Sequence, residues 1–514
     1  MSDWLDLAMV ATLMALILLG FPVAFSIAGV AIAFAYLGWL AGAMDISLLG
    51  ALGQRVFGIM TNEVLIAIPL FVLMGVILER ARIAEDLIET MAALFGGLRG
   101  GLGLAVIAVG ALLAASTGIV GATVIALGLI ALPSMLRAGY DRPLAAGLVC
   151  TAGTLGQIVP PSTLLIILSD VMSSAYQQAQ YAQGRFSVET LSVGQMFAGA
   201  LGPGLALVAL YALYVLARGA LRPEDMPPAA AERPALGRVL SAIAPPILLI
   251  VAVLGAILGG VATPTEAASV GAVGAALMAG VRLGAPRWLI LGGALALGAL
   301  AVVAGLAPVR LGRSDAGALE WSLGALYAAL ALLGALALII ALAATHRRGV
   351  LVPAVEATLR LSAMIFTTII AASVFALVFV GLGGEARIQA LLEAMPGGPT
   401  GALVFSMALI FALGFFLDFV EIAVIVLPLL APPLILMGHD PLWLSVLIAI
   451  NLQTSFLTPP FGFSLFYLRS AAPKEITTAQ IYAGVAPFIA LQVLAMLAVW
   501  ALPWLATWLP GAMF

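Results

Sequence analysis

Residues 154–163 read Thr-Leu-Gly-Gln-Ile-Val-Pro-Pro-Ser-Thr and lie in the middle of an apolar segment, 144–169. The pair Pro160-Pro161 removes two backbone donors, so it interrupts a helix at this point. Freed carbonyl oxygens at membrane depth are tolerated only where they line a cavity or bind something. Because carbonyls with Ser and Thr hydroxyls are the oxygen ligands that hard cations prefer, this stretch predicts a Na⁺ site. The alternative interpretation is a structural kink.

The same kind of stretch returns 299 positions later, where residues 453–460 read Gln-Thr-Ser-Phe-Leu-Thr-Pro-Pro. At this shift three further residues coincide: Pro133 with Pro432, Gly139 with Gly438, and Asp141 with Asp440. Proline accounts for only 29 of 514 residues, so these coincidences indicate an internal repeat. A repeat with interrupted helices in matching places is typical of the binding site of a transporter, which favours a functional site over a kink.

The composition predicts a chain dissolved in lipid. Apolar residues make up 64% of it and charged residues 9%, and the mean hydropathy is +1.21. A soluble domain is about 25% charged, and a net charge of −3 gives no basic field for nucleic acid. The apolar segments are 5–20, 22–40, 64–79, 103–115, 119–136, 144–169, 195–217, 239–260, 266–281, 287–307, 320–344, 360–381, 402–417, 419–437, 442–469 and 480–508.

Two pairs of these segments are too short and too closely joined to be ordinary spans, and we interpret each pair as a re-entrant helical hairpin. The first is 103–115 with 119–136, and its tip is Ser116-Thr117-Gly118. The second is 402–417 with 419–437, and its tip carries Asp418 and Glu421. Carboxylates in an apolar stretch are costly and indicate function, here help in holding Na⁺ or a proton. The alternative is that Asp418 and Glu421 form a capping box.

Positive charge predicts the orientation of the chain. The longest polar connection, 218–238, carries Arg218, Arg222, Arg233 and Arg238, so we place it in the cytoplasm. Both termini then lie outside, and the two repeats have opposite orientations. The cytoplasmic set is Arg80, Arg82, Arg99, Arg137, Arg142, Arg282, Arg287, Arg347, Arg348 and Lys474, and the exceptions on the outer side are Arg55, Arg185, Arg310, Arg313 and Arg387.

Other notable residues have structural interpretations. Cys150 is the only cysteine, and we expect a packed core residue. Thr263-Pro264-Thr265-Glu266 has the spacing of a helix start with a capping box. His346 and His439 are isolated, so we expect no metal other than Na⁺. We find neither a phosphate-binding Gly-Lys loop nor a catalytic Ser/His/Asp arrangement, so we expect no enzyme activity and no organic cofactor.

These motifs resemble the large membrane subunit of tripartite ATP-independent periplasmic (TRAP) transporters, an ion-transporter family, over nearly the whole chain. The region around Asp418 and Glu421 is similar to the subgroup labelled for mannitol, chloroaromatic or 2-oxo acid substrates. The matching stretches are Ile68-Pro69-Leu70-Phe71 with Met74-Gly75, Ser116-Thr117-Gly118 through Gly121-Ala122-Thr123, Gly153 to Ser162, Thr263 to Ala267, Phe416-Leu417-Asp418, and Asn451 to Ser455 with Pro459-Pro460-Phe461-Gly462.

The resemblance implies an all-α polytopic membrane protein with an inverted repeat, two re-entrant hairpins, two broken helices and an elevator mechanism. It implies sodium-driven uptake of a small organic acid across the bacterial inner membrane, with a periplasmic substrate-binding protein and a small four-helix membrane subunit as partners. The first implied sodium site comprises Ser116, Thr117, Gly118, Gly153, Thr154, Gly156, Val159 and Pro160. The second comprises Leu417, Asp418, Glu421, Gln453, Thr454, Ser455, Thr458 and Pro459. The implied substrate residues are Thr123, Gln157, Ser162, Asn451 and Phe461.

One region departs from the family pattern, since residues 284–348 contain two additional apolar segments. We expect this two-helix insertion to stay out of the substrate path and to enlarge the scaffold or contact a partner. We do not expect a fused small subunit. The predicted division is 1–63 scaffold, 64–190 first half of the transport domain, 191–283 scaffold, 284–348 insertion, 349–479 second half of the transport domain, and 480–514 C-terminal helix.

Two other functions remain open at this stage. A standalone Na⁺- or H⁺-coupled carrier of the same architecture would need no binding protein, and uptake by the chain alone would identify it. The second is a channel or a structural membrane subunit; paired re-entrant hairpins also occur in channels, but uphill accumulation of a solute would exclude this class.

Overall fold

The computed structural model describes residues 4–118, 120–228, 235–309 and 317–514, without the side chains of 114–117. Residues 1–3 and the predicted charge-pattern residues Arg233, Arg310 and Arg313 lie outside these ranges. Every regular element within the ranges is helical. The helices are α1 (Leu5–Leu18), α2 (Val23–Leu40), α3 (Leu52–Met60), α4 (Glu63–Arg80), α5 (Ile83–Phe95), α6 (Gly101–Thr117), α7 (Val120–Arg137), α8 (Arg142–Thr154), α9 (Thr163–Ala182), α10 (Val193–Leu221), α11 (Leu236–Leu258), α12 (Pro264–Arg282), α13 (Arg287–Leu306), α14 (Ala318–Arg347), α15 (Leu351–Gly381), α16 (Gly384–Glu393), α17 (Gly398–Leu413), α18 (Phe419–Glu421), α19 (Leu427–Leu436), α20 (Pro441–Leu457), α21 (Phe463–Ala471), α22 (Thr478–Ala501) and α23 (Trp504–Met513). Shorter helical turns occupy Ile46–Ala51, Leu155–Gln157, Pro223–Asp225 and, as a π-helix between α18 and α19, Ile422–Val426.

Within the described ranges, nine helices are long and apolar enough to cross a membrane, or ten if a bent pair counts as one span. The bent pair is Ile46–Met60 with α4, which meet at 51°. The predicted all-α, multi-pass membrane architecture is therefore confirmed. The second arms of the predicted hairpins, α7 and the stretch Phe419–Leu436, have 18 residues each, which is long enough to cross a membrane. Length alone therefore does not identify these arms as re-entrant.

The internal repeat predicted from the prolines is present in the helices. A shift of 299 residues carries the bounds of α7, Val120–Arg137, onto Phe419–Leu436. It also carries the N-cap of α8 onto that of α20. The Asp141 side chain accepts from the amide of Leu144 at 3.1 Å, and that of Asp440 accepts from the amide of Trp443 at 2.7 Å. The two copies thus begin their broken helices with the same capping contact.

Both predicted helix breaks are also present. Helix α8 ends at Thr154, a short helical turn follows, and α9 begins at Thr163. In the second copy α20 ends at Leu457 and α21 begins at Phe463. The peptide bonds Pro160-Pro161 and Pro459-Pro460 are both cis. The copies interlock, because α7 packs on α21 and α19 packs on α9, and these are equivalent pairs.

The packing of two helices differs from the predicted division of the chain. Helix α4, which we placed with the transport domain, packs mainly on α12 and α15. Helix α10, which we placed in the scaffold, packs on α20, α22 and α23. Helix α10 thus contacts a broken helix directly, and α4 contacts helices on both sides of the predicted boundary. Sequence segments do not contain this information because both helices are simply apolar.

The predicted insertion forms a helical pair, α13 and α14, at the edge of the molecule. The helices approach closely where Gly293 faces Ala337, and α14 approaches α12 where Ala341 faces Gly280. Their main contacts are with each other and with α12. Much of their surface is apolar and exposed, as at Leu295 and Leu306, which are 74% and 81% exposed. The pair therefore packs against α12 and covers part of its surface.

Several single-residue predictions can be compared directly with the structure. Cys150 is buried, as expected of a core residue. Thr263 and Glu266 form the predicted capping box, with the amide of Glu266 donating to Thr263 Oγ1 at 3.2 Å. Arg387, an exception to the charge pattern, donates to the buried carboxylate of Asp6 at 2.5 Å. This ion pair neutralises a positive charge on the side where we predicted few.

Candidate functional site

The tip of the first hairpin meets the first helix break. Gly118 is buried in the left-handed region at φ +59°, and a β-carbon there would lie 2.8 Å from Thr163 Oγ1. Helix α9 continues for 20 residues from Thr163, a length of about 30 Å. The tip therefore stops part-way along the broken helix, as a re-entrant hairpin requires. Behind the tip, α8 and α7 touch where Gly153 faces Val124.

The tip of the second hairpin meets the second break in the same way. Gly414, just after α17, lies directly against Ser455 in the last turn of α20, so a β-carbon would clash with the serine hydroxyl. Further along the tip, the rings of Phe416 and Phe461 lie 5.5 Å apart. Phe419 packs on Phe456, with ring centroids 6.3 Å apart. Each hairpin thus faces the broken helix of its own copy.

The carboxylates of the second tip make the capping contacts that we gave as the alternative interpretation. Asp418 precedes α18, and its Oδ1 accepts from the amide of Phe419 at 2.7 Å. Glu421 Oε2 accepts from the amide of Asp418 at 3.0 Å. Each of these contacts uses one carboxylate oxygen. The two side chains therefore form the capping box given as the alternative, and the negative charge of Asp418 is compatible with a second role.

Several backbone carbonyls at the two breaks accept hydrogen bonds from side-chain hydroxyls inside the protein. In the second break the Thr458 hydroxyl donates to Thr454 O at 2.7 Å, and the Ser464 hydroxyl donates to Phe456 O at 2.7 Å. Tyr482 OH donates to Pro460 O at 2.9 Å. In the first break Ser162 Oγ donates to Gln157 O at 3.0 Å. Hydroxyl groups thus cap more of these carbonyls than the proline pattern suggests.

Other polar atoms at the breaks are buried without a hydrogen-bond partner among the described residues. A buried polar group of this kind costs about 1–3 kcal/mol and is rare without a water or ligand. These atoms come from both copies, and all of them lie on the broken-helix side of the hairpin contacts. They are Gln157 Nε2 and Oε1, Thr151 Oγ1, Thr163 Oγ1, Gln453 Oε1 and Ser455 Oγ.

The two broken helices meet each other through Thr154 and Gln453. Gln453 Nε2 donates to Thr154 Oγ1 at 3.4 Å, and both residues are fully buried. The residues are 299 positions apart, so they are equivalent in the two copies. Equivalent residues in contact lie at the axis that relates the copies. One side chain from each predicted sodium site therefore reaches the contact between the two broken helices.

The remaining predicted sodium residues lie at the two breaks or tips. Ser116 and Thr117 end α6, and their side chains lie outside the described part. Thr454 Oγ1 donates to Ile450 O at 2.7 Å, which leaves its hydroxyl engaged with its own helix. The others fall into a buried group, Gly156, Val159, Pro160 and Leu417, and a partly buried group, Thr458 and Pro459.

The predicted substrate residues occupy different surroundings. Thr123 lies buried on α7, and Gln157 lies at the first break with its amide unpartnered among the described residues. Asn451 Nδ2 donates to Met407 O at 2.8 Å, which ties α20 to the first arm of the second hairpin. Phe461 is 44% exposed beside Phe416. In Gln157, both polar atoms of the side chain, Nε2 and Oε1, thus have no hydrogen-bond partner among the described residues.

Sequence reasoning missed Thr163 and Gly414, which form the contacts between tip and break. Thr163 was quoted as the last residue of the first motif but was not assigned a role. A glycine close to a hairpin tip is a usable signal, because close backbone approach requires it. The partner of such a glycine depends on tertiary packing, which the sequence pattern did not specify.

Comparisons with known proteins agree with this geometry. The family model described as "Tripartite ATP-independent periplasmic transporter, DctM component" matches residues 10–303 and 317–505. The matched ranges include most of α13 and α14, so they do not set the predicted insertion apart. The C4-dicarboxylate TRAP transporter large permease protein DctM of Vibrio cholerae is 28% identical over 504 residues, covering 96% of this chain and 95% of that protein. The ectoine TRAP transporter large permease protein TeaC of Halomonas elongata is 27% identical over 520 residues, covering 98% and 99%.

A solved structure shares the fold. The crystal structure of the YdaH transporter of Alcanivorax borkumensis covers 91% of this chain and 88% of its own, with a TM-score of 0.52. The sequence identity is 16%, so this likeness concerns the fold alone.

Proposed function

Because the chain belongs to the DctM component family of tripartite ATP-independent periplasmic transporters, we propose that it imports a small organic acid with Na⁺ as the coupling ion. The chain is a multi-pass membrane permease and not an enzyme. The ion and the substrate are the proposed elements. The observation that carries the proposal is the pairing of each hairpin tip with a broken helix that holds unpartnered buried polar atoms.

The two tip-and-break contacts are the proposed sodium sites. Hydroxyl and carbonyl oxygens suit a hard cation, and Thr163 and Ser455 supply hydroxyls that have no partner among the described residues. Asp418 adds negative charge at the second site. A cation bound there would satisfy the unpartnered oxygens and offset the carboxylate. These gains support binding in a region where water is scarce.

The proposed substrate site lies beside the breaks, where Gln157 offers an amide that can donate to a carboxylate. Relatives are named for C4-dicarboxylates and for ectoine, and both are small molecules that carry a carboxylate. Thr123, Ser162 and Phe461 are the other proposed contacts. Asn451 supports the site indirectly through its bond to Met407, which holds the second hairpin against α20.

We propose an elevator motion in which the hairpins and broken helices slide along a wall formed by α4 and α15. Support comes from the packing, because α4 contacts α6 and α9, while α15 contacts α18 and the adjacent π-helix. Sodium would order the tips, the substrate would then bind, and the loaded block would cross with its charges paired. An unpaired carboxylate would resist this crossing.

The proposed partners are a periplasmic substrate-binding protein and a small membrane subunit, with four helices expected for the latter. The proposed location is the inner membrane with both termini in the periplasm. The tripartite family description supports both partners. The predicted Arg and Lys pattern supports the orientation.

The test is uptake into proteoliposomes that contain this chain, the small subunit and the loaded binding protein. We expect accumulation against a gradient with external Na⁺ and none with K⁺ or choline. Equal uptake in all three salts would contradict sodium coupling. Full uptake by this chain alone would instead identify a standalone carrier, and downhill equilibration without accumulation would identify a channel.

A further inference from the structure

Thr154 and Gln453 form a buried hydrogen-bonded bridge between the two proposed sodium sites. Thr154 belongs to the first site and Gln453 to the second, and the amide of Gln453 donates to Thr154 Oγ1 at 3.4 Å. Both side chains are 0% exposed, so water does not compete for the contact. A hydrogen bond in such surroundings is electrostatically stronger than the same bond in water.

Each end of the bridge is tied to a helix end. Thr154 Oγ1 also donates to Thr151 O at 2.9 Å, so its hydroxyl proton is committed within the last turns of α8. It can only accept from Gln453. On the other side, Gln453 immediately precedes Thr454, whose carbonyl accepts from Thr458 Oγ1 at 2.7 Å. The bridge therefore joins the terminal turns of α8 and α20, the two turns that border the breaks.

The free oxygen of the amide makes the bridge sensitive to movement. Gln453 Oε1 has no partner among the described residues, so the contact with Thr154 is the one described hydrogen bond that orients this amide. A donor–acceptor distance of 3.4 Å is longer than the usual 2.7–3.2 Å or so. The contact can therefore tighten if either helix end shifts by a few tenths of an ångström.

We propose that Thr154 and Gln453 couple the two sodium sites, so that a cation at either site raises the affinity of the other. The inference rests on the sodium sites proposed above. A cation at the first site would fix the end of α8 and with it the amide of Gln453. The end of α20 would then be held in the position that the second site needs in order to bind a cation. Packed interiors transmit such shifts, because their side chains have few alternative arrangements. When two sites are coupled, binding at one typically changes the affinity of the other by a factor of about 5 to 150.

The test measures the binding of radioactive sodium to the purified complex over a range of concentrations, with choline holding the ionic strength constant. Two sites that help each other give a Hill coefficient between one and two. Thr154→Val removes the acceptor at nearly constant volume, and Gln453→Met removes the donor from the other end. We expect both variants to bring the Hill coefficient to about one and to raise the half-saturating sodium concentration.

Two controls isolate the bridge. Thr345→Val makes the same change at a buried hydroxyl of α14, away from the breaks, which likewise donates to the carbonyl three residues earlier, Leu342 O, at 2.8 Å, and it should keep the steep titration. Thr154→Ser keeps the hydroxyl, so this variant should also keep the steep titration. If Thr154→Val does not fold, Gln453→Met tests the bridge from α20.

The outcomes separate the coupling from the proposed function. A Hill coefficient of one in the unmodified protein, or steep titrations in both bridge variants, would overturn the coupling but leave sodium-driven transport standing. No sodium binding by the unmodified protein would overturn both. A shallow titration confined to the two bridge variants, with two sodium ions still bound at saturation, is the result that supports the proposal; one bound ion would show that the variant has lost a site and would contradict a purely coupling role.

Discussion

Gly118 lies so close to Thr163 that a β-carbon on the glycine would stand 2.8 Å from the threonine Oγ1 and 3.0 Å from its amide nitrogen. The first hairpin tip therefore fits the start of α9 only because Gly118 carries no side chain. Gly118 also has a φ of +59°, which other residues rarely adopt. The contact sets the depth at which the hairpin stops, and so it sets the position of the first proposed sodium site.

Gly118→Ala should strongly reduce sodium-dependent uptake in proteoliposomes. Two effects add, because the left-handed backbone costs about 1–2 kcal/mol for a residue with a β-carbon, and the methyl group would push Thr163 away. Gly184→Ala is the matched control. Gly184 has a φ of +76° but nothing within 4 Å of its β-position, so it carries only the backbone cost. Equal uptake by the two variants would show that the approach to Thr163 is irrelevant to transport.

Asp418→Asn separates the two roles of this carboxylate. Asn caps a helix about as well as Asp, so the bond to the amide of Phe419 should persist and membrane insertion should be normal. If the charge also holds Na⁺, the half-saturating sodium concentration for uptake should rise about tenfold or more, equivalent to about 1.4 kcal/mol. Asp418→Ala should show the same loss and in addition lower the unfolding temperature. Unchanged sodium dependence in Asp418→Asn would leave the residue with a capping role only.

Ser455→Ala should have opposite effects on stability and on sodium binding. The hydroxyl is buried without a partner among the described residues, and removing such a group relieves a penalty of about 1–3 kcal/mol. The sodium-free protein should therefore be no less stable, as measured by thermal unfolding in choline. The stabilisation on adding Na⁺ should become smaller. A drop in sodium-free stability with an unchanged response to Na⁺ would show that the hydroxyl serves packing alone.

A contact across the proposed sliding surface allows a test of the elevator motion. Asn62, the N-cap of α4, donates from Nδ2 to Asp170 of α9 at 2.8 Å, beside a cavity of about 380 Å³. Asn62→Cys with Asp170→Cys, in a protein that lacks Cys150, should allow cross-linking that stops uptake until the link is reduced. The control pair is Glu63→Cys with Thr265→Cys, which joins α4 to α12 where Thr265 Oγ1 donates to Glu63 O at 2.5 Å. Continued uptake by the cross-linked first pair would argue against movement of α9 along α4.

The sequence predicted the features that depend on spacing. Pro133 and Pro432 indicated the repeat because they are separated by the same 299 residues as the two Pro-Pro pairs. Both helix breaks occur at these predicted Pro-Pro pairs. The capping box at Thr263 was predictable for the same reason. The apolar pattern missed α3, α5 and α16. These helices are too short and too amphipathic to look like membrane spans.

Features that depend on tertiary packing were not predictable. The contact between Gln453 and Thr154 joins residues that are 299 positions apart, and only the folded chain brings them together. The packing of α10 on α20 and α22 likewise arises only in the folded chain. Capping hydroxyls such as Ser464 were missed because a serine in an apolar segment has many possible acceptors, and the fold selects one of them.

The most direct test of the central claim is an electron cryomicroscopy structure of the assembled transporter in Na⁺, compared with one in choline. We expect sodium-dependent density at two places: between the Gly118 tip and the first break near Thr163, and between the Asp418 tip and the second break near Ser455. Oxygen atoms of the chain should surround each density. Identical maps in the two salts at both places, or hairpin tips that face lipid instead of the breaks, would contradict the central claim.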